Sequence, residues 1–329
     1  MAITATTSVL TLDYWKYADK IEVGDYVFDK DGKITQVKLV QRYFAEDCYE
    51  VILDDHLSIK GDKHLAFNVE NETYRKQLDK YKMVRRVFLR PLKQIKVQEF
   101  LTGSLKGRGN RTEFSIPTTK PLEFPHQFLG VPPFIFGFWY FNRKMHKNFI
   151  AHHGNKETIF QKFKDHGYQI QELHVVNNHQ YFYEVPNIEQ QMLPNVPTRI
   201  PNNYLMGSIE ERVELLSGIV HSKSKCYNAK TNWFRFCDKH LPTIQSIQGL
   251  VESLGNKSYV LYDRQRKNYT IFFNSKIKLT EQHKVKPVKV HYGRRYIKEI
   301  NPIQSQMCVH IETENNNAIL VGEGFIPVC

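Results

Sequence analysis

Residues 2–33 read AITATTSVLTLDYWKYADKIEVGDYVFDKDGK, and this stretch decides the fold. Its short runs of β-branched and aromatic residues, SVLTL and YVF, are broken by polar residues, and no apolar spacing of three or four is sustained. Strands are therefore expected rather than a helix. The Asp31-Gly32 pair between YVFDK and KITQVKLVQRYF is a two-residue hairpin signal. Working outward, CYEVILDD and HLSIK carry the same texture, so residues 1–95 read as an all-β segment. From 96 to 295 the texture changes: FPHQFLGVPPFIFGFWYFNRK, KETIFQKFKDHG and SIEERVELLSGIVHSKS are helix-like, whereas TNWFRFC and KSYVLYDRQRKNYTIFFN are strand-like. From 296 to 329 strands return as MCVHIET and AILVGEGFIPV, separated by the turn-forming ENNN. The order predicts a discontinuous β domain, 1–95 with 296–329, interrupted by an α+β insertion at 96–295.

The chain has 329 residues, more than one average domain, which fits two. Its formal charge is +12, and this points either to a polyanionic partner such as nucleic acid or to simple solubility. Five cysteines, Cys48, Cys226, Cys237, Cys308 and Cys329, form neither a CxxC pair nor an even set. That pattern argues against a zinc finger or a disulfide scaffold and for a reducing cytosol. No apolar run approaches the roughly 20 residues that span a bilayer, and no signal pattern opens the chain, so a soluble intracellular protein without a membrane partner is expected.

The opening stretch resembles, without gaps, the first block of an intein: a nucleophilic Cys, small residues, T-x-V-L-T, then a V-G-D-x-V turn. At the other end CVHIETENNNAILVGEGFIPV resembles the final intein strands, which lead to a terminal Asn followed by a host nucleophile. The resemblance implies a horseshoe-like all-β Hint splicing domain with an inserted LAGLIDADG-type endonuclease domain. In the family an N-terminal thiol attacks the preceding carbonyl, the acyl group passes to the next host nucleophile, and Asn cyclisation releases the intein.

Carried onto this chain, GDKH places His64 in the T-x-x-H slot, where an imidazole protonates the departing amide. A lone His between strands is more often structural, and the surrounding blocks favour the catalytic reading. Gly61 stands where the family has Thr, so one hydroxyl is missing; Asp62 compensates for it or nothing does. Cys308 falls where a Cys or Asp assists the first acyl shift, against the plain reading of a buried Cys as a small hydrophobe. Ala2 occupies the nucleophile slot, and a methyl group cannot attack a carbonyl. Cys329 aligns with the residue before the terminal Asn, and that Asn is absent. Inteins that begin from the later-block Cys carry Trp after the His, whereas Leu65 and Ala66 follow here. Met1 then reads as an added start residue, Ala2 as an inactivating change and the lost Asn as a truncation, with natural decay the alternative.

LSGIVHSKS, 216–224, resembles the second LAGLIDADG helix letter by letter. Gly218 keeps the close-packing position, His221 replaces one acid and Lys223 replaces the metal-binding acid. PPFIFGFWYFNRK resembles the first copy, with Gly137 at the contact and Asn142 in the acid slot. An ordinary helix end with basic residues is the plainer reading of GIVHSK. Phosphodiester hydrolysis with Mg²⁺ needs oxygen ligands from both helices, so the resemblance implies a nuclease domain whose chemistry is lost. Arg235, Arg264, Arg266 and Lys267 interleave with aromatics on strands and are DNA-contact candidates, although solvated strand faces explain them equally.

The expectation is thus a splicing element blocked at its first and last steps, needing no cofactor and no metal, with Mg²⁺ reserved for an active nuclease ancestor. Its partners would be the flanking host segments (exteins) and, weakly, double-stranded DNA. It would be a monomer in the cytoplasm of a phage's bacterial host. A functional site-specific endonuclease and a non-catalytic DNA-binding module remain the alternatives.

Overall fold

The structure, a computed structural model, describes residues 2–13, 15–81, 92–106, 112–142, 149–152, 156–176, 180–185, 199–222, 226–281, 283, 285 and 293–329. The chain divides into two compact units. One comprises Met1–Glu123, Gly255–Lys257 and Val288–Cys329, and the other Phe124–Leu254 with Ser258–Pro287. The architecture is an all-β-dominated unit interrupted by an α+β unit, as the sequence texture suggested. The joins fall later and earlier than residues 96 and 295. Strand Phe114–Pro117 explains the first shift, because it pairs with Ala66–Asn71 on one side and Arg294–Ile303 on the other.

The outer unit holds a ten-stranded sheet. Its spatial order is Tyr26–Phe28, Ile34–Ala45, Gln306–Thr313, Ala2–Thr4, Ser58–Asp62, Cys48–Leu53, Arg294–Ile303, Phe114–Pro117, Ala66–Asn71 and Lys93–Lys96. Two hairpins exchange arms: Ile34–Ala45 pairs with Gln306–Thr313, and Cys48–Leu53 pairs with Arg294–Ile303. Between these pairings lie the strand that starts at Ala2 and the strand that ends at Asp62. Val309 and Ile311 join the core with Ile3, Val51, Ile59 and Phe67, while Cys308, His310 and Glu312 take the opposite face by strand alternation. The hairpin expected at Asp31-Gly32 is present; Gly32 has φ +80°, and a Cβ there would lie 2.2 Å from the Pro121 carbonyl oxygen.

The first 95 residues are not all strand. Helix Glu72–Tyr81 interrupts them, and a short helix, Val97–Leu101, follows. In the inner unit, helices Pro133–Asn142, Lys156–Asp165, Ile209–His221 and Leu241–Ser253 accompany two sheets of three and four strands. Of the helix-like stretch 124–144, only Pro133–Asn142 is helical among the described residues, with Pro at its first position, where a missing N–H costs nothing. Ser208 accepts the Glu211 amide while the Glu211 carboxylate returns to the Ser208 amide, a capping box that fixes the start of Ile209–His221.

Candidate functional site

Strand pairing brings the two ends of the outer unit together. Ala2 lies opposite His310, Thr4 opposite Cys308, and Ile3 opposite Gly61. Cys329 and Ala66 exchange backbone hydrogen bonds of 2.8 and 3.3 Å. The result is a cavity of about 340 Å³ lined by Ala2, Tyr43, His64, Ala66, Gln94, Lys96, His310 and Cys329. Ala2, His64 and Cys329, three of the site residues carried over from the resemblance, therefore line one cavity.

His64 is exposed into this space, on a turn built by Asp62. The Asp62 carboxylate accepts the backbone N–H groups of His64 (2.9 Å) and Leu65 (3.0 Å) through one oxygen and the Tyr43 hydroxyl (2.7 Å) through the other. Asp62 thus holds the loop that presents the imidazole. Burial, and then the hydrogen bond to Asp62, raise the Tyr43 phenol above its ordinary value and keep it a proton donor. At Gly61 a Cβ would stand 2.5 Å from the Ala2 carbonyl oxygen and 2.8 Å from Leu65 Cδ2. The Thr of the family pattern has no room on this backbone, because the Ala2 strand closes over the position.

Cys308 lies beside this cavity rather than on its wall. It is fully buried against Ala2, Ala45 and Cys48. The residue facing Ala2 is His310, which sequence reasoning missed. Its Nε2 lies 3.0 Å from a Glu312 carboxylate oxygen. The available signal was alternation: two residues beyond Cys308, His310 shares its strand face. Lys96 and Gln94 also reach the cavity, and nothing local in LKQIK announces that. Asn68 Nδ2 donates to the Cys329 sulfur at 3.0 Å. Burial raises the Cys329 thiol, with the Gln94 hydrogen bond opposing.

In the inner unit, helices Pro133–Asn142 and Ile209–His221 touch through the two glycines. A Cβ on Gly137 would lie 2.5 Å from the Leu215 carbonyl oxygen, and one on Gly218 would lie 2.2 Å from that of Phe134. Asn142 is buried and donates its amide to the Phe138 carbonyl of its own helix (3.1 Å). Lys223 lies outside the described residues. His221 Nδ1 sits 2.8 Å from the Ser217 carbonyl and edge-on to Phe134, and burial lowers its pKa. Among the described residues, no three His, Cys, Asp or Glu side chains are grouped as metal ligands.

Arg235 stands on the outer face of the four-stranded sheet, opposite Phe272 and 5.8 Å from its ring centre, with Trp233 and Tyr259 beside it. Arg264, Arg266 and Lys267 are not on the strands. They occupy the exposed turn between Ser258–Asp263 and Asn268–Phe273, where Asp263 accepts the amides of Gln265 and Arg266. No helix among the described residues is long and apolar enough to cross a membrane.

No family model matches the chain. It is 20% identical over 366 residues to the replicative DNA helicase DnaB of Mycobacterium intracellulare, a match that takes in 99% of this chain and 58% of the helicase. The chain thus spans little more than half the length of that relative. Among solved structures it is similar to the MchDnaB-1 intein (26% identity, 21% of this chain and 53% of that one, TM-score 0.20). It is similar also to the gp41-1 intein (18%, 34% and 73%, TM-score 0.23). A third likeness is to I-DmoI in complex with DNA and manganese (11%, 52% and 79%, TM-score 0.30). These solved structures are inteins and a homing endonuclease.

Proposed function

We propose that the outer unit is a protein-splicing domain arrested at its first step, and that the inner unit, from 124 onward, is a homing-endonuclease fold that has lost its acids. One observation carries the reading: Ala2 and Cys329, at opposite ends of the sequence, line one cavity with His64 between them in sequence and beside them in space. Acyl transfer between chain ends requires such convergence, since reacting atoms must come within about 3 to 3.5 Å.

In this reading the scissile bond is the peptide bond at the Ala2 nitrogen. A thiol at position 2 would attack the preceding carbonyl, and His64 would hand a proton to the departing amine. Asp62 and Tyr43 position His64, and His310 places a second imidazole opposite position 2. Cys308, buried beneath, takes no part in the acyl shift. Alanine supplies no nucleophile, so the reaction does not begin. The chemistry needs no cofactor, and its partners are the host segments on either side. The chain acts as a monomer in the cytoplasm of a phage's bacterial host.

For the inner unit, glycine-mediated helix contact survives while Asn142 turns its amide into its own helix. Mg²⁺ hydrolysis would require carboxylates at that seam. Arg235 and the basic turn at 264–267 favour weak contact with DNA phosphates as the remaining activity. Incubation with Mg²⁺ or Mn²⁺ and a plasmid library carrying uninterrupted host genes is expected to give no site-specific cuts; such cuts would restore the active-nuclease alternative.

The splicing reading is tested by Ala2→Cys with an appended Asn and short host flanks. Ligated flanks and free splicing element are expected by mass spectrometry. A folded protein that yields neither splicing nor cleavage products overturns it.

A further inference from the structure

Cys48 and Cys308 lie 260 positions apart in sequence, yet their sulfurs are 3.9 Å apart. Their strands are not neighbours: Ala2–Thr4 and Ser58–Asp62 lie between them in the sheet. In a flat sheet three strand spacings of about 4.8 Å would separate them by roughly 14 Å. The contact exists because the sheet curls where the two hairpins meet. Cys48 pairs with Ile303, Gln306 pairs with Ala45, and Ser305 Oγ donates to the Glu46 carbonyl (2.8 Å), so the turns at 46–47 and 304–305 bring both sulfurs inward. Ala2 and Ala45 complete the enclosure.

We propose that Cys48 and Cys308 are a reversible dithiol–disulfide pair, closed by a small disulfide oxidant across the strand that carries Ala2. The inference is independent of the reaction assigned to the unit. One cysteine thiolate attacks the oxidant RSSR and releases RS⁻, and the partner cysteine then displaces the second RS⁻ from the mixed disulfide. In sum, two thiols lose two protons and two electrons, one S–S bond forms, and RSSR becomes two RSH. A disulfide of about 2.05 Å requires the sulfurs to close by a little under 2 Å from their present contact. Both sulfurs are buried, so the oxidant reaches them by opening of the turn at Glu46 and Asp47, exposed residues next to Cys48. Burial and the adjacent Cys48 sulfur push the Cys308 thiol up to about 12. Thiolate is therefore scarce at neutral pH, and closure accelerates as pH rises.

The test treats the full-length protein with oxidised glutathione at alkaline pH, alkylates remaining thiols under denaturing conditions and maps peptides by mass spectrometry. A Cys48–Cys308 cross-linked peptide, two hydrogens lighter than its parts and lost on reduction, is expected, with Cys226, Cys237 and Cys329 alkylated. Cys48→Ser and Cys308→Ser should each abolish it. The oxidised protein should also melt several degrees higher, because the bond closes a long loop. Alkylation of all five cysteines, cross-links among the other three only, or glutathione adducts at Cys48 that never resolve would each overturn the proposal.

Discussion

Gly61 and Asp62 show how two adjacent residues set a site without touching a substrate. Gly61→Thr restores the family residue but forces its Cβ against the Ala2 carbonyl. It should destabilise the outer unit by about 1–3 kcal/mol in urea denaturation, with the Ala2 strand displaced. Asp62→Ala strips acceptors from Tyr43 and from the amides of His64 and Leu65. A loss of about 2–3 kcal/mol is expected, together with a broadened His64 NMR signal; unchanged stability would mean that another group holds the turn. His64 was legible in GDKH because a motif marks it. His310 was not, since its place opposite Ala2 depends on the register of two strands at opposite ends of the chain, which no local pattern encodes.

At the scale of elements, the paired helices rest on backbone contacts that admit no methyl group. Gly137→Ala and Gly218→Ala should each cost roughly 3 kcal/mol, at the upper end for overpacking because carbonyl oxygens cannot rotate away. A thermal melt unaffected by either would contradict the packing. The same helix carries a pH signature. His221 faces the Ser217 carbonyl, with Lys162 nearby disfavouring its charge and Glu281 favouring it; burial dominates and lowers its pKa below 6.5. The unfolded chain therefore takes up the proton first, so stability falls as pH drops through the ordinary imidazole range and is fully present above it. His221→Phe should flatten that slope in urea midpoints measured across this range. It should not abolish it, because burial lowers His283 in the same sense. Both glycines were readable as close-packing positions in PPFIFGFWYFNRK and LSGIVHSKS, whereas the Ser208–Glu211 cap emerged only with the structure. Helix Glu72–Tyr81 was harder to read: Tyr74, Leu78 and Tyr81 have helical spacing but sit among charges, beside strands whose texture prevails.

For the whole molecule, the outer unit is assembled from three separated stretches, including Gly255–Lys257, whose Lys257 ammonium bonds both oxygens of Asp54 at 2.8 and 2.7 Å. Replacing 124–287 with a short Gly/Ser linker should leave a cooperatively melting β protein by circular dichroism. It should melt below the parent, since that pair and the Thr118 hydrogen bond to Gly255 are lost. The domain order was evident from texture alone. The joins were not, because Phe114–Pro117 becomes a strand only beside partners at 66–71 and 294–303. The proposed arrest at the first step rests on the missing nucleophile at position 2. The most direct measurement fuses a reporter ahead of position 2 and compares Ala2 with Ala2→Cys, with and without His64→Ala, after adding a small thiol. Reporter release at that bond is expected only with Cys at position 2 and His64 in place. A folded Ala2→Cys protein that keeps its reporter, or an Ala2 protein that sheds it, would contradict the account.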